Sequence, residues 1–329
     1  MSHSTEHNSR PEQSATLFIA ASETDSNLYY ATRFIAPDPF IYLEVKGERL
    51  MVMSDLEVDR ARNQATVDRV LSYSELERRA KSQGVKDPGT IDVIHLVLQD
   101  AGLKDILVPP TFPFLHASRL QEMGYRLRTK RDPFYEQRVM KSDDEVRHIE
   151  AAQRATETAV AAAHQHLRRA EIRDNVLWLD GEILTSERVK KLINVALMEC
   201  DCVAQHTIVA GGEQACDPHD EGSGPLPAHR SIIFDVFPRS AGTRYFADMS
   251  RTVVRGTPSP ELTRLYHAVK DAQEEAITKI RDGADGAAIH QGICDRFEKA
   301  GYKTGLVNGR MQGYFHGTGH GVGLDIPEA

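Results

Sequence analysis

The segment from Ser231 to Gly256 places two aspartates inside apolar runs that are typical of β-strands. Asp235 interrupts the run IIFDVF, Asp248 interrupts YFADM, and turn-forming residues at 238 to 242 separate the runs. Two strands joined there would form a hairpin with both carboxylates at the same end. Burying a carboxylate is costly unless it is paired, hydrogen-bonded or bound to a metal. We therefore expect a partner that compensates both charges.

Length and charge narrow the class of protein. A chain of 329 residues predicts about two domains, each with its own core. The formal net charge of −8 comes without a basic block, which argues against a nucleic-acid partner or an anionic membrane surface. No apolar run has the length of a membrane helix, and the polar start lacks the core of a secretion signal. The sequence thus predicts a cytoplasmic protein, and its four cysteines are interpreted as reduced.

Strand and helix patterns predict an α/β (α+β) fold in two domains. Strands at 16 to 21, 40 to 45, 49 to 54 and 105 to 110 alternate with helices at 90 to 102 and 116 to 124. We assign residues 1–15 to a disordered tail, 16–135 to the first domain and 136–329 to the second.

The second domain shows a coarse internal repeat. Its first helix begins after Ser142, which with Glu145 predicts a capping box. Further helices are predicted from Ser186 to about Glu199, from Pro260 to near Gly283, and over about 287 to 300, so that two pairs of helices are each followed by strands. The histidines of the first helix are interpreted as solvated: His148, His164 and His166.

A glycine-rich stretch near residue 320 carries two more histidines. In YFHGTGHGVG, the glycines around His316 and His320 disfavour a helix and let the backbone approach closely. Carboxylates together with imidazoles suit a divalent metal such as Mn, Co, Zn or Fe, and the lack of nearby thiolates argues against a structural zinc site.

These motifs resemble the pita-bread metallopeptidases, in their Xaa-Pro aminopeptidase and prolidase branch. DVFPRSAGTRYFADMSRT is similar to the aspartate hairpin of that family, HGTGHGVG to its histidine loop, and ACDPH to the segment that ends in a substrate-side histidine. SDDEVRHIEAAQRATE is similar to the opening helix of the catalytic domain, and DSNLYYATRF to the start of a creatinase-like N-terminal domain. The resemblance extends over nearly all of residues 16 to 329.

The resemblance implies specific roles. Asp235 would bind one metal ion, Asp248 would bridge two, and His320 would bind the other. His219 and His316 would line the substrate pocket and hydrogen-bond the substrate or the developing oxyanion. The expected cofactor is a divalent metal, Mn first, with two ions per complete site. The expected substrate is a short peptide with proline at the second position, and the family implies a homodimer.

Two departures from the family qualify this expectation. Pro327 stands where the family has a further histidine, so one hydrogen-bond donor is missing. The family also completes its site with two glutamates on strands after the histidine loop, whereas this sequence stops at Ala329. Glu328 is not assigned as a ligand. The expectation is either a truncated version of a longer enzyme, with the C-terminal strands missing, or a natural remnant that is inactive or needs a partner.

Two alternative functions stay open. One is a metal-free hydrolase of the creatinase type, against which the two adjacent carboxylates argue. The other is a non-catalytic module on the same fold that binds peptides or proteins. The favoured hypothesis is metal-dependent hydrolysis of the bond between an N-terminal residue and proline by a metal-activated hydroxide, as an aminopeptidase or a dipeptidase.

Overall fold

The computed structural model describes residues 14 to 328 and divides the chain into two compact units, Met1–Met140 and Lys141–Ala329. The division falls five residues after the predicted boundary between residues 135 and 136. Of the predicted disordered tail, residues 1 to 13 lie outside the described residues. Ser14 and Ala15 belong to the first strand, and Ala15 is fully buried, so the tail prediction was wrong for these two residues.

The first unit is built on one six-stranded sheet, in the order β4-β3-β2-β1-β5-β6. Its strands are β1 (Ser14–Ala20), β2 (Phe40–Val45), β3 (Glu48–Met53), β4 (Arg69–Ser72), β5 (Asp105–Val108) and β6 (Arg126–Thr129). Strand β1 runs antiparallel to β2 and parallel to β5. Its neighbouring residues Leu17 and Phe18 point to opposite faces of the sheet and are both fully buried. Each face therefore has a core of its own.

From residue 14 onwards, five α-helices accompany this sheet: α1 (Ser26–Thr32), α2 (Val58–Gln64), α3 (Tyr73–Ser82), α4 (Thr90–Ala101) and α5 (Phe114–Glu122). The residues of α4 pack in one core and those of α1 and α2 in the other. The predicted hairpin β2–β3 is confirmed. It turns through Lys46 and Gly47, both with positive φ (53° and 83°), as a tight two-residue turn requires.

The second unit begins with the long helix α6 (Asp143–Arg169). The predicted capping box is confirmed: Ser142 N donates to Glu145 Oε2 at 2.8 Å, and Glu145 N donates to Ser142 Oγ at 3.4 Å. Most of the remaining helices and strands are short: β7 (Glu171–Arg173), β8 (Val176–Leu179), β9 (Glu182–Ile183), α7 (Ser186–Met198), β10 (Cys202–Val203), β11 (Ile208–Gly211), β12 (Ile232–Val236), β13 (Arg239–Ser240), β14 (Met249–Val253), α8 (Pro260–Lys279), α9 (Gly286–Lys299), β15 (Gly305–Val307) and β16 (Arg310–Gln312).

Strands β11, β12 and β14 form a three-stranded sheet that packs against α6 and α7. Phe234 on β12 is fully buried in that core, as are Ala159 of α6 and Ile193 of α7. Because side chains alternate along a strand, Asp235 points to the opposite face of the sheet from Phe234. The core thus fixes the sheet, and the sheet presents the aspartate away from the helices.

Two of the three α6 histidines, His148 and His164, are half-buried against aromatic rings, which corrects the prediction that they are solvated. The ring of His164 lies 5.5 Å from that of Phe234, and the ring of His148 stacks on Tyr245 at 5.6 Å. Burial lowers the pKa of His164, with a smaller contribution from Arg168 and Arg251. Among residues 14 to 328, no helix is both long and apolar enough to cross a membrane.

Candidate active site

The aspartate hairpin has the predicted form. Strands β12 and β14 pair antiparallel, with Asp235 opposite Ser250 and Val236 opposite Met249. The same register continues towards the turn, where Ala247 N donates to Pro238 O at 3.0 Å. Asp248 is therefore a diagonal neighbour of Asp235 on the same face of the ladder. The turn itself lies at residues 241 to 244, about two residues later than predicted, because Ser240 N donates to Tyr245 O.

The histidine loop, residues 316 to 323, is joined to this hairpin by main-chain hydrogen bonds. Phe246 N, beside Asp248, donates to Gly323 O at 2.8 Å. Gly321 and Glu328 exchange two further bonds, of 2.8 and 3.0 Å. A Cβ atom on Gly323 would lie 1.5 Å from Glu328 Oε2, so a larger residue there would displace the Glu328 side chain. The predicted close approach is thus found at Gly323, whereas Gly317 and Gly319 have no close neighbour among the described residues.

His320 approaches Asp248 through its outer ring nitrogen. Its Nδ1 lies 2.9 Å from Gly321 O, and since a carbonyl only accepts, Nδ1 carries the proton. This leaves the lone pair on Nε2, which lies 3.4 Å from Asp248 Oδ2. A histidine whose other nitrogen donates to a carbonyl is held in the tautomer that can bind a metal.

The two carboxylates influence each other electrostatically. Burial raises the pKa of Asp248, the negative charge of Asp235 raises it further, and His320 and the Met249 N–H oppose the shift. Asp235 Oδ1 accepts a hydrogen bond of 2.5 Å from Ser250 Oγ. A cation beside both carboxylates would relieve this repulsion.

One cavity of about 390 Å³ collects most of the predicted site residues. Asp235, Asp248, His320 and His219 all line it. His316 does not line it: its Nδ1 lies 2.8 Å from Gly317 O, and its ring packs edge-on against Tyr314 at 5.0 Å. The structure thus brings together four of the five predicted side chains.

Six further residues complete the cavity wall: His206, Ile208, Glu221, Phe237, Ile326 and Pro327. Phe237 could have been found from the alternation of β12, since it shares a face with Asp235. His206 and Glu221 are polar residues outside regular strands and carry no local pattern. They were missed because only the folded chain brings them to the cavity.

The donor set suits a divalent metal in chemical type. Two carboxylates and an imidazole nitrogen are ligands that Mn, Co, Zn and Fe share. Within residues 14 to 328, however, no group of three His, Cys, Asp or Glu side chains is arranged closely enough to hold an ion. Asp235, Asp248 and His320 therefore have the donor chemistry for a metal and share one cavity wall, but they are not arranged as a formed metal site.

Comparison with known proteins places the second unit. The model of metallopeptidase family M24 matches residues 147–329, which is more than half of the chain. The chain belongs to this family. Its fold is the pita-bread fold of that family, preceded by the α/β unit described above.

Individual M24 relatives agree with this placement. An uncharacterized peptidase of Staphylococcus epidermidis is 30% identical over 167 residues, which are 50% of this chain and 44% of the relative. The chain thus spans less than half the length of that relative. A Xaa-Pro dipeptidase of Lactobacillus helveticus is 33% identical over 100 residues, 29% of this chain and 26% of the relative.

Solved structures share the M24 fold over almost the whole chain. The Xaa-Pro dipeptidase from Bacillus anthracis superposes with a TM-score of 0.77 at 18% identity, covering 96% of this chain and 79% of that one. At this identity the likeness concerns the fold alone. It extends across both units, so the α/β unit belongs to the shared architecture.

Proposed function

We propose that this M24 chain is a metal-dependent peptidase that hydrolyses the bond between an N-terminal residue and proline. The observation that carries the proposal is the single cavity in which Asp235, Asp248, His219 and His320 meet. The Lactobacillus helveticus relative, named a Xaa-Pro dipeptidase, supports the choice of substrate.

The roles of the side chains follow from their positions. Asp235, Asp248 and His320 would hold the metal. A bound divalent metal would supply Lewis acidity, which polarises a carbonyl and lowers the pKa of water. His320 keeps its proton on Nδ1, so Nε2 stays available as a ligand. Asp248, whose pKa is raised in the protein alone, gains most from a neighbouring positive charge.

His219 and the apolar wall would position the peptide. The His219 side chain is exposed to the cavity, and it would donate a hydrogen bond to the substrate or the developing oxyanion. Phe237, Ile326 and Pro327 offer an apolar surface that suits a prolyl ring. Pro327 supplies no donor, and the loss of one such donor raises a barrier by about 3 kcal/mol when nothing replaces it. His316 lies outside the cavity wall. Its proposed role, a hydrogen bond to the substrate or the developing oxyanion, rests on the family resemblance alone.

The finer expectations belong to the same proposal. Manganese is the proposed metal, with two ions in a complete site, as the family resemblance implies; the carboxylate and imidazole ligands are compatible with it. A homodimer and a cytoplasmic location are proposed from the resemblance and from the sequence. Metal analysis of the purified protein tests the identity and number of the metal ions, and sedimentation tests the homodimer.

The test is hydrolysis of peptides with and without proline at the second position. With Mn²⁺ added, we expect cleavage of Leu-Pro-Ala and not of Leu-Ala-Ala, and loss of activity in EDTA. Asp248→Ala should lower kcat/KM on the order of a hundredfold or more. Glu213→Ala, an exposed glutamate outside the cavity, is the control. Full activity of Asp248→Ala would overturn the assignment, and a metal-free wild type would favour the non-catalytic binding module.

A further inference from the structure

One carboxylate in the cavity wall has no role in the proposed reaction. Among residues 14 to 328, the wall contains three carboxylates, of Glu221, Asp235 and Asp248, and no lysine or arginine. Asp235 and Asp248 would hold the metal, and Glu221 is the carboxylate of this wall that the proposed metal site leaves unused.

The main chain around Glu221 is fixed firmly beside the sheet. Val209 N of β11 donates to Glu221 O at 3.0 Å, and Gly222 O accepts from Lys190 Nζ at 2.9 Å. Gly222 has φ of 77°, and a Cβ there would lie 2.0 Å from Val209 O, so this loop presses directly on β11. Strand β11 in turn pairs with β12, with Ile208 opposite Asp235. Glu221 is therefore held at a constant distance from the metal ligands.

The side chain of Glu221 is oriented by a single contact. Its Oε1 accepts from His206 Nδ1 at 2.7 Å, and among the described residues no other side chain hydrogen-bonds to it. Glu221 is 44% exposed and can still accept from a ligand through Oε2. His206, with a left-handed φ of 58°, turns its ring towards this loop. The pair forms an accessible anionic point on the cavity wall.

The distance between Glu221 and the proposed metal ligands decides which positively charged group of a substrate Glu221 can contact. Glu221 and Asp235 lie on either side of β11, so their backbones are about 10 Å apart, which is two strand spacings. The α-ammonium group of a substrate lies one carbon away from the scissile carbonyl and stays close to the aspartates. The ammonium or guanidinium group of a long side chain, on its flexible stem, can cover that distance.

Building on the proposed function, we propose that Glu221, oriented by His206, selects peptides whose first residue carries a cationic side chain. The chemical class is thus Lys-Pro or Arg-Pro peptides over neutral ones of the same length. Because Glu221 is partly exposed, the preference should be modest, about threefold to fivefold in kcat/KM.

The experiment compares Lys-Pro-Ala with norleucine-Pro-Ala, whose side chain has similar length and no charge. Both are assayed with the Mn²⁺-loaded wild type, Glu221→Gln, Glu221→Lys and Glu213→Gln. Glu213→Gln changes the charge equally and lies outside this cavity, so it is the matched control. We expect a ratio of kcat/KM, lysine over norleucine, of about three to five in the wild type and the control. The ratio should fall to about one in Glu221→Gln and below one in Glu221→Lys.

Two outcomes would overturn the inference: a wild-type ratio of about one, or a ratio that Glu221→Gln leaves unchanged. An unchanged ratio with kcat/KM lowered equally for both peptides would assign Glu221 to the α-ammonium or to folding. Failure of the proposed function is recognised separately, since neither peptide would then be hydrolysed. In that case the dissociation constants of the two intact peptides are measured. The ratio of affinities, lysine peptide over norleucine peptide, is then compared between the wild type and Glu221→Gln, with the same outcomes as for kcat/KM.

Discussion

Asp248 interacts electrostatically with both of the other proposed metal ligands. It lies between the like charge of Asp235 and the ring of His320, whose Nε2 is 3.4 Å away. Burial and the like charge outweigh the favourable contacts, so its pKa is raised. Without a cation, the ionised Asp248 carboxylate destabilises the folded protein. A bound cation would remove this destabilisation.

The first prediction concerns Asp248→Asn in EDTA. A raised pKa means that the folded chain holds the proton more tightly than the unfolded chain. The resulting stabilisation is fully present below the unfolded pKa of about 3.9 and is lost as pH rises through the folded value. At pH 7.5 the neutral asparagine should therefore raise Tm relative to the wild type, and the difference should shrink towards pH 4.5. Thermal melts at both values check this, and a lower Tm of the variant at pH 7.5 would contradict it.

Sequence patterns identified some residues of the cavity and missed others. Asp235 and Asp248 stood out because charges inside apolar strands are costly, and the glycines around His320 marked a close-packed loop. His206 and Glu221 gave no signal, because an exposed polar residue in a loop acquires a role only from what folding places beside it. The rings against His148 and His164 were likewise invisible until Tyr245 and Phe234 were placed.

At the scale of elements, the loop carrying His219 and Glu221 depends on one glycine. We predict that Gly222→Ala destabilises the protein by about 2 to 3 kcal/mol, since it combines a left-handed φ with a backbone clash on Val209. Gly224→Ala is the matched control, with φ of 70° and no atom within 4 Å of the added Cβ. It should cost about 1 kcal/mol. Urea unfolding measures both, and equal losses would refute the importance of the contact with β11.

The histidine loop depends on an ion pair that is largely shielded from solvent. Lys141 Nζ lies 3.6 Å from Glu328 Oε2, and the two side chains are 16% and 8% exposed. We predict that Lys141→Met lowers the free energy of unfolding by about 3 kcal/mol, because it leaves a shielded carboxylate without this partner. Lys279→Met, which removes the exposed pair with Glu275, should cost less than about 1 kcal/mol. A Lys141→Met variant as stable as the control would show that the pair is dispensable.

Long periodic elements were predicted well and short ones were not. Helices α4, α6, α7, α8 and α9 and the hairpins have sustained patterns or caps, and the structure confirms them. The short helices α1 to α3 and the small sheet β7-β8-β9 escaped prediction. The segments of α1, α2 and the small sheet contain too few residues to show a period, and the largely polar α3 buries only Ala80.

On the scale of the whole molecule, two units each close their own cores. The first buries both faces of its sheet, and the second packs α6 and α7 against the sheet that carries the aspartates. The match to the M24 family lies in the second unit, where the cavity also lies. The alternation of strands and helices predicted the α/β class, whereas the sheet order depends on contacts distant in sequence and was not predicted.

We propose Asp235, Asp248 and His320 as the ligands of a divalent metal. The direct measurement is calorimetric titration of the metal-stripped protein with Mn²⁺, together with elemental analysis of the purified chain. We predict at least one tightly bound ion per chain in the wild type. In Asp248→Asn we predict affinity weaker by about a hundredfold or more, since even changes behind a ligand cost about ten- to a hundredfold. Glu213→Gln should bind like the wild type. A wild type that binds no metal, or an Asp248→Asn variant that binds as tightly, would contradict the claim.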